Sequence, residues 1–217
     1  MLDVVAHRGA WNSDLHQNSI EAIIHAIDCG CSVEIDLRMN EKHSKIAVSH
    51  DVLPAYPLLL EDLIDQIKGK SGTLFLHVKE EPEQIRFFFD EKNRLKNFKC
   101  VFFGITNSPI MQKYGLTFGW DHVAYEIEKG NFGTVDGALR SNCEYVWLSE
   151  MKDEFVDGEY MALGNAGKKI YQVAPDITCF PSPHNVSGFL QKIKYLHGVC
   201  TDTSKFYLDF KRRKPLN

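Results

Sequence analysis

Two acidic residues separated by a single position stand inside an apolar run of the sequence. Glu34 and Asp36 alternate with Val33, Ile35 and Leu37. Because alternate side chains of a β-strand lie on opposite faces, the two carboxylates share one face of the predicted strand. Burying both is costly unless a cation compensates them, and carboxylate oxygens are natural ligands of Mg²⁺ and Ca²⁺. The pattern therefore indicates a divalent-metal site.

Three other β-like runs also end in, or carry, polar side chains that could do chemistry. These side chains are His7 and Arg8, His50 and Asp51, and His77 and Lys79. In a parallel βα fold the C-terminal ends of the strands gather catalytic groups at one edge. We therefore expect these residues and the two carboxylates to form one shared site.

Short β-like runs alternate with segments of helical periodicity along the chain. The predicted strands are Asp3–Ala6, Ser32–Leu37, Lys45–Ser49, Thr73–Lys79, Lys99–Phe103, Glu144–Leu148, Lys168–Val173 and Gly198–Thr201. The predicted helices are Ser19–Cys29, Leu59–Ile67, Pro82–Leu95, Pro109–Tyr114, Gly158–Gly167 and Val186–Leu196. This alternation predicts a parallel sheet, either a closed barrel or an open doubly wound sheet. The absence of a Gly-x-Gly-x-x-Gly motif after the first strand weighs against a dinucleotide-binding fold. The strand count is eight or nine, depending on how Gly115–Ile127 folds.

The bulk properties fit one soluble domain over residues 1–217. The net charge is −4, which does not favour binding to nucleic acid or to an anionic membrane. An apolar stretch of about 18 residues is absent, so we expect no membrane insertion, and the N-terminus shows no signal-peptide pattern. We expect a cytoplasmic protein with reduced cysteines. The basic run Lys211–Lys214 is interpreted as a solvated tail, with contact to an anion or a lipid surface as the alternative.

The motifs, in this order, resemble those of the glycerophosphodiester phosphodiesterase family. The matching segments are His7-Arg8-Gly9-Ala10, Gln17-Asn18-Ser19, Glu34-Ile35-Asp36-Leu37, Val48-Ser49-His50-Asp51, Leu76-His77-Val78-Lys79 and Val199-Cys200-Thr201-Asp202. The likeness covers the chain from end to end and is most specific up to Lys79. It implies an α/β fold, a TIM-type (β/α)8 barrel of the phospholipase C-like phosphodiesterase type.

The resemblance also implies the chemistry and a role for each residue. The substrate would be a small-molecule phosphodiester of lipid metabolism, and the cofactor one divalent ion, Mg²⁺ or Ca²⁺. The implied roles are general acid–base catalysis for His7 and His50, metal binding for Glu34 and Asp36, and contact with the phosphodiester oxygens for Arg8 and Lys79. These residue types suit the reaction, since cations can neutralise the non-bridging oxygens and histidines exchange protons near neutral pH.

Two substitutions depart from the family's usual pattern. Gln17 and His77 stand where the family usually has glutamate, so the site loses up to two negative charges. Affinity for Ca²⁺ or Mg²⁺ should fall, whereas an imidazole ligand suits Mn²⁺, Zn²⁺ or Fe²⁺ better. Either His77 is a third metal ligand beside Glu34 and Asp36, or it binds no metal and the two carboxylates hold an ion weakly.

The segment after Asp51 is a third departure. The family usually inserts a small cap there, which helps to bind glycerol, whereas here a short segment leads directly to the helix predicted over Leu58–Ile67. Without this cap the entrance to the active site would be wider, and it would admit a bulkier headgroup, a sugar-phosphate diester or a lipid. Similar capless enzymes of the sphingomyelinase type form cyclic phosphates, so the resemblance allows either hydrolysis or internal attack.

Two other functions compete with a metal-dependent phosphodiesterase. Gln17 and His77 would suit a catalytically weak or inactive barrel that binds a phosphorylated ligand. A barrel isomerase or aldolase would use Lys79 to form a Schiff base with a sugar phosphate. The presence of both histidines with Glu34 and Asp36 favours the phosphodiesterase, because a binding protein needs no acid–base pair. The sequence leaves the oligomeric state open.

Overall fold

A computed structural model of the chain describes residues 2–40, 45–51, 57–79, 94–105, 108–149, 155–177 and 183–213, without the side chains of residues 108 and 183–186. The chain divides into two compact units, one of residues 1–6 with 106–217 and one of residues 7–105. We call the second of these the site unit, since it contains every predicted site residue. No helix in the described ranges is both long and apolar enough to span a bilayer.

Strands and helices alternate along the described residues, as the sequence predicts. The strands are β1 Asp3–His7, β2 Ser32–Asn40, β3 Lys45–Val48, β4 Leu58–Leu59, β5 Gly72–Val78, β6 Phe98–Phe103, β7 Ala124–Ile127, β8 Tyr145–Leu148, β9 Lys169–Val173 and β10 Gly198–Thr201. The helices are α1 Ile20–Asp28, α2 Leu60–Gln66, α3 Ser108–Phe118, α4 Val135–Arg140, α5 Asp157–Asn165, α6 Pro183–Lys192 and α7 Ser204–Arg213. Most predicted elements are thus confirmed with shifted ends.

The sheet of the site unit is built around β2. This strand pairs in parallel with β5, which pairs in parallel with β6, and on its other side it pairs antiparallel with β3. The register sets Asp36 opposite His77 and His77 opposite Phe103. Because residues directly opposite one another in a sheet share a face, these three side chains form one row across the three strands.

The other unit has a sheet in which all of the recorded pairings are parallel. Residues Asp3–Ala6 of β1 pair with β10, and the order continues through β9 and β8 to β7. Aromatic side chains fill one face, where the rings of Trp147 and Tyr171 stack with their centroids 6.4 Å apart. This unit has the strand–helix alternation expected of a parallel α/β fold.

Two sequence predictions need correction, and one segment whose fold the sequence left open is resolved. The strand at Lys45–Ser49 is antiparallel to β2, not parallel, because residues 41–44 are far too few for the crossover that parallel pairing requires. The segment Gly115–Ile127 both ends helix α3 and forms strand β7. The basic run at the C-terminus is helical as far as Arg213, because α7 buries Tyr207, although Arg212 and Arg213 remain exposed.

Two predictions fall wholly or partly on residues outside the described ranges. The helix predicted over Pro82–Leu95 is described only at its last two residues, and the segment after Asp51 is described only from Pro57. The single domain predicted over residues 1–217 stays a prediction.

Candidate active site

The two carboxylates of β2 lie at the centre of the site. Glu34 is 2% exposed and Asp36 is 1% exposed. Three cationic or potentially cationic side chains surround Asp36. They are Arg8, whose Nε lies 3.0 Å from Oδ2, Lys79, whose Nζ lies 3.1 Å from Oδ1, and His77, whose Nδ1 lies 3.2 Å from Oδ1. The buried negative charge of Asp36 is therefore compensated within the protein.

This environment determines how Asp36 titrates. Burial alone would raise the pKa of Asp36, but the hydrogen bond from His77 and the positive charges of Lys79 and Arg8 outweigh it. The pKa of Asp36 is held far below its ordinary value, so this carboxylate is ionised throughout the neutral range.

Glu34 is less well compensated than Asp36. Its Oε2 accepts a hydrogen bond from the backbone N–H of Arg8 at 3.2 Å and lies 4.0 Å from Nε2 of His7. Its Oε1 lies 3.8 Å from Nδ1 of His77. Burial, and then the neighbouring charge of Asp36, raise the pKa of Glu34 well above its ordinary value. The site therefore holds one stable anion and one carboxyl that resists ionisation.

The loop between β1 and α1 brings Arg8 to Asp36. Arg8 has a left-handed φ of 56°, and Gly9 follows with a φ of 88°. A Cβ on Gly9 would lie 2.7 Å from the backbone carbon of Ala22, so only glycine lets this loop lie directly against α1. Ser19 caps the helix by accepting a hydrogen bond from the N–H of Ala22.

Asn18 belongs to the matched segment Gln17-Asn18-Ser19, but the sequence predicts no role for it in the site. Its backbone N–H donates to the carbonyl of Arg8 at 2.8 Å, and its side-chain amide donates to Oδ2 of Asp36 at 3.1 Å. Asn18 also has a left-handed φ, of 57°, which asparagine tolerates better than most residues. The neighbouring Gln17 accepts a hydrogen bond from Nη1 of Arg8 at 2.8 Å. This contact orients the guanidinium of Arg8.

His50 reaches this region from the end of the β2–β3 hairpin. Arg38 donates from Nε and Nη2 to the carbonyl oxygen of His50, which fixes the backbone there. Nδ1 of His50 lies 2.8 Å from Oδ1 of Asp51. Partial burial lowers the pKa of His50 in spite of this hydrogen bond and of the nearby charge of Asp36.

Glu34, Asp36 and His77 together could hold a metal ion. One ligand atom from each residue lies within 4.8 Å of the other two. Ligands that share an ion at bond lengths of about 2.0–2.2 Å stand about 3–4.4 Å apart, and Nδ1 of His77 lies 3.2 and 3.8 Å from its two carboxylate partners. The donor set, two carboxylates and one imidazole, fits a divalent cation.

The structure therefore brings six of the seven predicted site residues into direct contact around the two carboxylates. They are His7, Arg8, Glu34, Asp36, His77 and Lys79. The seventh, His50, lies within the electrostatic reach of Asp36, Lys79 and Arg8. Their individual catalytic roles stay predictions.

Comparison with known proteins identifies the fold. No family model matches the chain, and no curated protein matches it in sequence. Among solved structures, a glycerophosphodiester phosphodiesterase from Parabacteroides distasonis ATCC 8503 matches with a TM-score of 0.72 and 14% identity, over 98% of both chains. A candidate enzyme of the same kind from Galdieria sulphuraria matches with a TM-score of 0.77 and 14% identity, over 97% of both chains.

A second Parabacteroides distasonis structure, a glycerophosphoryl diester phosphodiesterase, matches with a TM-score of 0.61 and 15% identity, over 100% of this chain and 88% of that one. These likenesses confirm the fold class predicted from the sequence, the (β/α)8 barrel. The chain thus has the fold of the glycerophosphodiester phosphodiesterases, the family that its motifs resemble.

Proposed function

We propose that this protein is a metal-dependent phosphodiesterase that cleaves a glycerophosphodiester or a related phosphodiester. The observation that carries the proposal is the buried pair Glu34 and Asp36, which faces the cationic side chains of Arg8 and Lys79 in one site. A phosphodiester carries a negative charge, and its cleavage requires that charge to be stabilised while protons are exchanged. The fold shared with known phosphodiesterases supports the same class of reaction.

Arg8 is suited to bind the phosphodiester. Its buried Nε has no hydrogen-bond partner among the described residues, although it lies 3.0 Å from Oδ2 of Asp36. The N–H therefore does not point at the carboxylate, and charge attraction alone joins the two groups. The Arg8 side chain keeps 17% of its surface exposed, so its terminal N–H groups can donate to a non-bridging phosphate oxygen. Lys79, at the end of β5, would supply the second positive charge.

His7 and His50 are proposed as the acid–base pair. His7 lies against Glu34, and His50 is half-exposed with its Nδ1 engaged by Asp51. That contact leaves Nε2 of His50 to exchange a proton with the substrate. The lowered pKa of His50 keeps its ring neutral, and able to accept a proton, at neutral pH. His7 would then protonate the leaving alkoxide. If the substrate binds in the reverse orientation, His7 would act as the base and His50 as the acid.

The bound metal would act as a Lewis acid on the phosphoryl oxygens. Glu34, Asp36 and His77 would hold it. We propose Mn²⁺ or Zn²⁺ ahead of Mg²⁺ or Ca²⁺, because an imidazole replaces a carboxylate in the set of ligands. The short segment after Asp51 favours a substrate with a larger headgroup than glycerol, cleaved either by water or by a neighbouring hydroxyl.

The test is a screen of phosphodiesters against the metal-free protein reloaded with each of the four metals. We expect turnover in the wild type and at least a 100-fold loss in both His7→Ala and His50→Ala, since general acid–base catalysis contributes about 10²–10⁴-fold. His25→Ala is the matched control, because His25 is exposed on α1 of the same unit. Its activity should equal that of the wild type.

No turnover with any substrate or metal would count against the proposal. If a phosphodiester then raised the melting temperature without being cleaved, the protein would instead be a binding protein for phosphorylated ligands. Measuring the phosphomonoester product in parallel with the cyclic phosphate would separate hydrolysis from internal attack.

A further inference from the structure

The imidazole of His77 is held between two neighbouring strands. On β2, opposite it in the sheet, lies Asp36, and on β6, also opposite, lies Phe103. The rings of His77 and Phe103 stack with their centroids 4.5 Å apart and their planes inclined by 21°. Since Phe103 is buried, one face of the imidazole rests on a fixed apolar surface.

Gly104 borders another side of the same ring. Its φ of 83° is left-handed, and a Cβ there would lie 2.5 Å from Cδ2 and 3.0 Å from Nε2 of His77, and 2.7 Å from the carbonyl oxygen of Val78. Any other residue would have to push the imidazole or the β5 backbone away. Glycine is therefore required for the observed position of the ring.

These two contacts hold the plane and the position of the ring, and Nδ1 is the nitrogen on the edge that faces the carboxylates. The edge that carries Cδ2 and Nε2 lies against Gly104, whereas Nδ1 lies 3.2 Å from Asp36 and 3.8 Å from Glu34. If the ring were rotated by half a turn about its Cβ–Cγ bond, Cδ2 would face the carboxylates in place of Nδ1. A ring carbon cannot bind a metal. We propose that Phe103 and Gly104 are positioning residues that present Nδ1 of His77 as a metal ligand. The inference rests on the metal site of the proposed function.

The chain offers a matched control for Gly104. Gly69 lies in the same unit with a φ of 88°, and a Cβ built on it meets nothing within 4 Å. Gly104→Ala and Gly69→Ala therefore impose the same kind of backbone strain, but only the first displaces the imidazole. Any difference in metal binding between the two variants reports on the contacts of Gly104 with the imidazole and the adjoining β5 backbone, not on the left-handed φ that both glycines share.

The experiment is a titration of the metal-free full chain with Co²⁺, followed by calorimetry and by the visible absorption of the bound ion. Loss of a residue that orients a metal ligand typically weakens metal binding by about 10–100-fold. We expect a weakening of that size in Gly104→Ala, together with a changed absorption spectrum, whereas Gly69→Ala should keep the wild-type affinity and spectrum. His77→Ala should resemble Gly104→Ala.

A second pair of variants avoids the glycine backbone altogether. Phe103→Leu removes the stacked ring, whereas Phe102→Leu changes an equally buried neighbour that points to the opposite face of β6. Only Phe103→Leu should weaken the binding of Co²⁺. In the Zn²⁺-loaded wild type, nitrogen-15 NMR should show that Nδ1 of His77 shifts on metal binding and that Nε2 carries the proton.

Metal bound through Nε2, or equal affinities in Gly104→Ala and Gly69→Ala, would overturn the inference. So would a wild type that binds no Co²⁺. Failure of the proposed function looks different, because metal would then bind through Nδ1 with the predicted dependence on Gly104 while no phosphodiester is cleaved.

Discussion

Neutralising Asp36 should destabilise the metal-free protein, whereas neutralising Glu34 should not. In the metal-free protein, Asp36→Asn removes the charge that Arg8 and Lys79 approach at 3.0 and 3.1 Å. Removing one partner of a buried ion pair costs about 3–5 kcal/mol. The two cationic side chains keep 17% and 15% of their surface exposed, so solvent screens part of the loss. We therefore expect the free energy of unfolding to fall by about 3 kcal/mol, the lower limit.

Glu34→Gln should leave the metal-free protein as stable as the wild type or more stable. The folded-state pKa of Glu34 is raised, first by burial and then by the charge of Asp36. A group with a raised folded-state pKa contributes stability at low pH that is lost as the pH rises through that pKa. The wild type should therefore lose stability relative to Glu34→Gln as the pH rises above the ordinary pKa of a glutamic acid. The pKa of Asp36 is lowered, so the contribution of Asp36 is present across this range and is lost only in acid.

The assay is urea unfolding of the metal-free wild type and both variants at several pH values, with melting curves alongside. For a chain of this size a loss of about 3 kcal/mol corresponds to a fall of about 6–12 °C in melting temperature. Addition of Zn²⁺ or Mn²⁺ should then stabilise the wild type by about 2.7 kcal/mol at a hundred times the dissociation constant, and Glu34→Gln by less. The reasoning is refuted if Asp36→Asn is as stable as the wild type, or if Glu34→Gln loses as much as Asp36→Asn.

Three further substitutions test the surroundings of the carboxylates. Asn18→Ala removes a hydrogen bond to the charged Asp36 and should lower the free energy of unfolding by about 1.5–3 kcal/mol, and an effect below about 0.5 kcal/mol in urea would contradict this. Asp51→Asn removes a contact that raises the pKa of His50, so that pKa should fall further when followed by NMR, and an unchanged titration would show that the contact does not form in solution. His77→Glu restores a third carboxylate and should tighten Ca²⁺ binding at the expense of Zn²⁺, whereas calorimetry giving the same ratio of affinities as the wild type would remove His77 from the metal site.

Much of the site could be predicted because the alternation of residues along a β-strand shows which side chains share a face of the sheet. The alternation around Glu34 and Asp36 is visible in the sequence, and so is that of His77 with Lys79 two positions later. That these two strands are neighbours, with Asp36 opposite His77, follows from the sheet register, which no single strand contains. The motifs supplied the fold, since the alternation alone allowed an open sheet as well as a barrel.

The sequence correctly places His50 near the site, but the predicted direction of the strand that carries it is wrong. It was expected at the end of a parallel strand, but β3 turns back on β2, and the Ser49 N–H donates to the carbonyl of Asp36. The shortness of residues 41–44 already excluded a parallel crossover. The number of connecting residues therefore predicts that β2 and β3 form a hairpin and that His50 follows its second strand.

The positioning residues lacked a sequence signal of comparable strength. Asn18 precedes the N-cap of α1, where a polar residue is ordinary in a loop, and only its left-handed backbone and its bonds to Arg8 and Asp36 give it a role. Phe103 ends an apolar strand and reads as core. Gly104 reads as a turn residue. Each depends on a contact between segments distant in sequence, and periodicity within one segment cannot report such a contact.

The two carboxylates look equivalent in the sequence, but the fold treats them unequally. Asp36 meets Arg8, Lys79, His77 and Asn18, so the protein itself stabilises its charge. Glu34 has the backbone N–H of Arg8 and more distant imidazoles, and its carboxyl resists ionisation. A bound cation should stabilise the charge of Glu34 more than that of Asp36, because the protein itself compensates Glu34 less. Binding the cation would offset the free-energy cost of ionising this buried carboxyl. We therefore expect the charge of Asp36 to contribute to the stability of the fold, and the charge of Glu34, which the protein compensates less, to be stabilised further by the proposed metal.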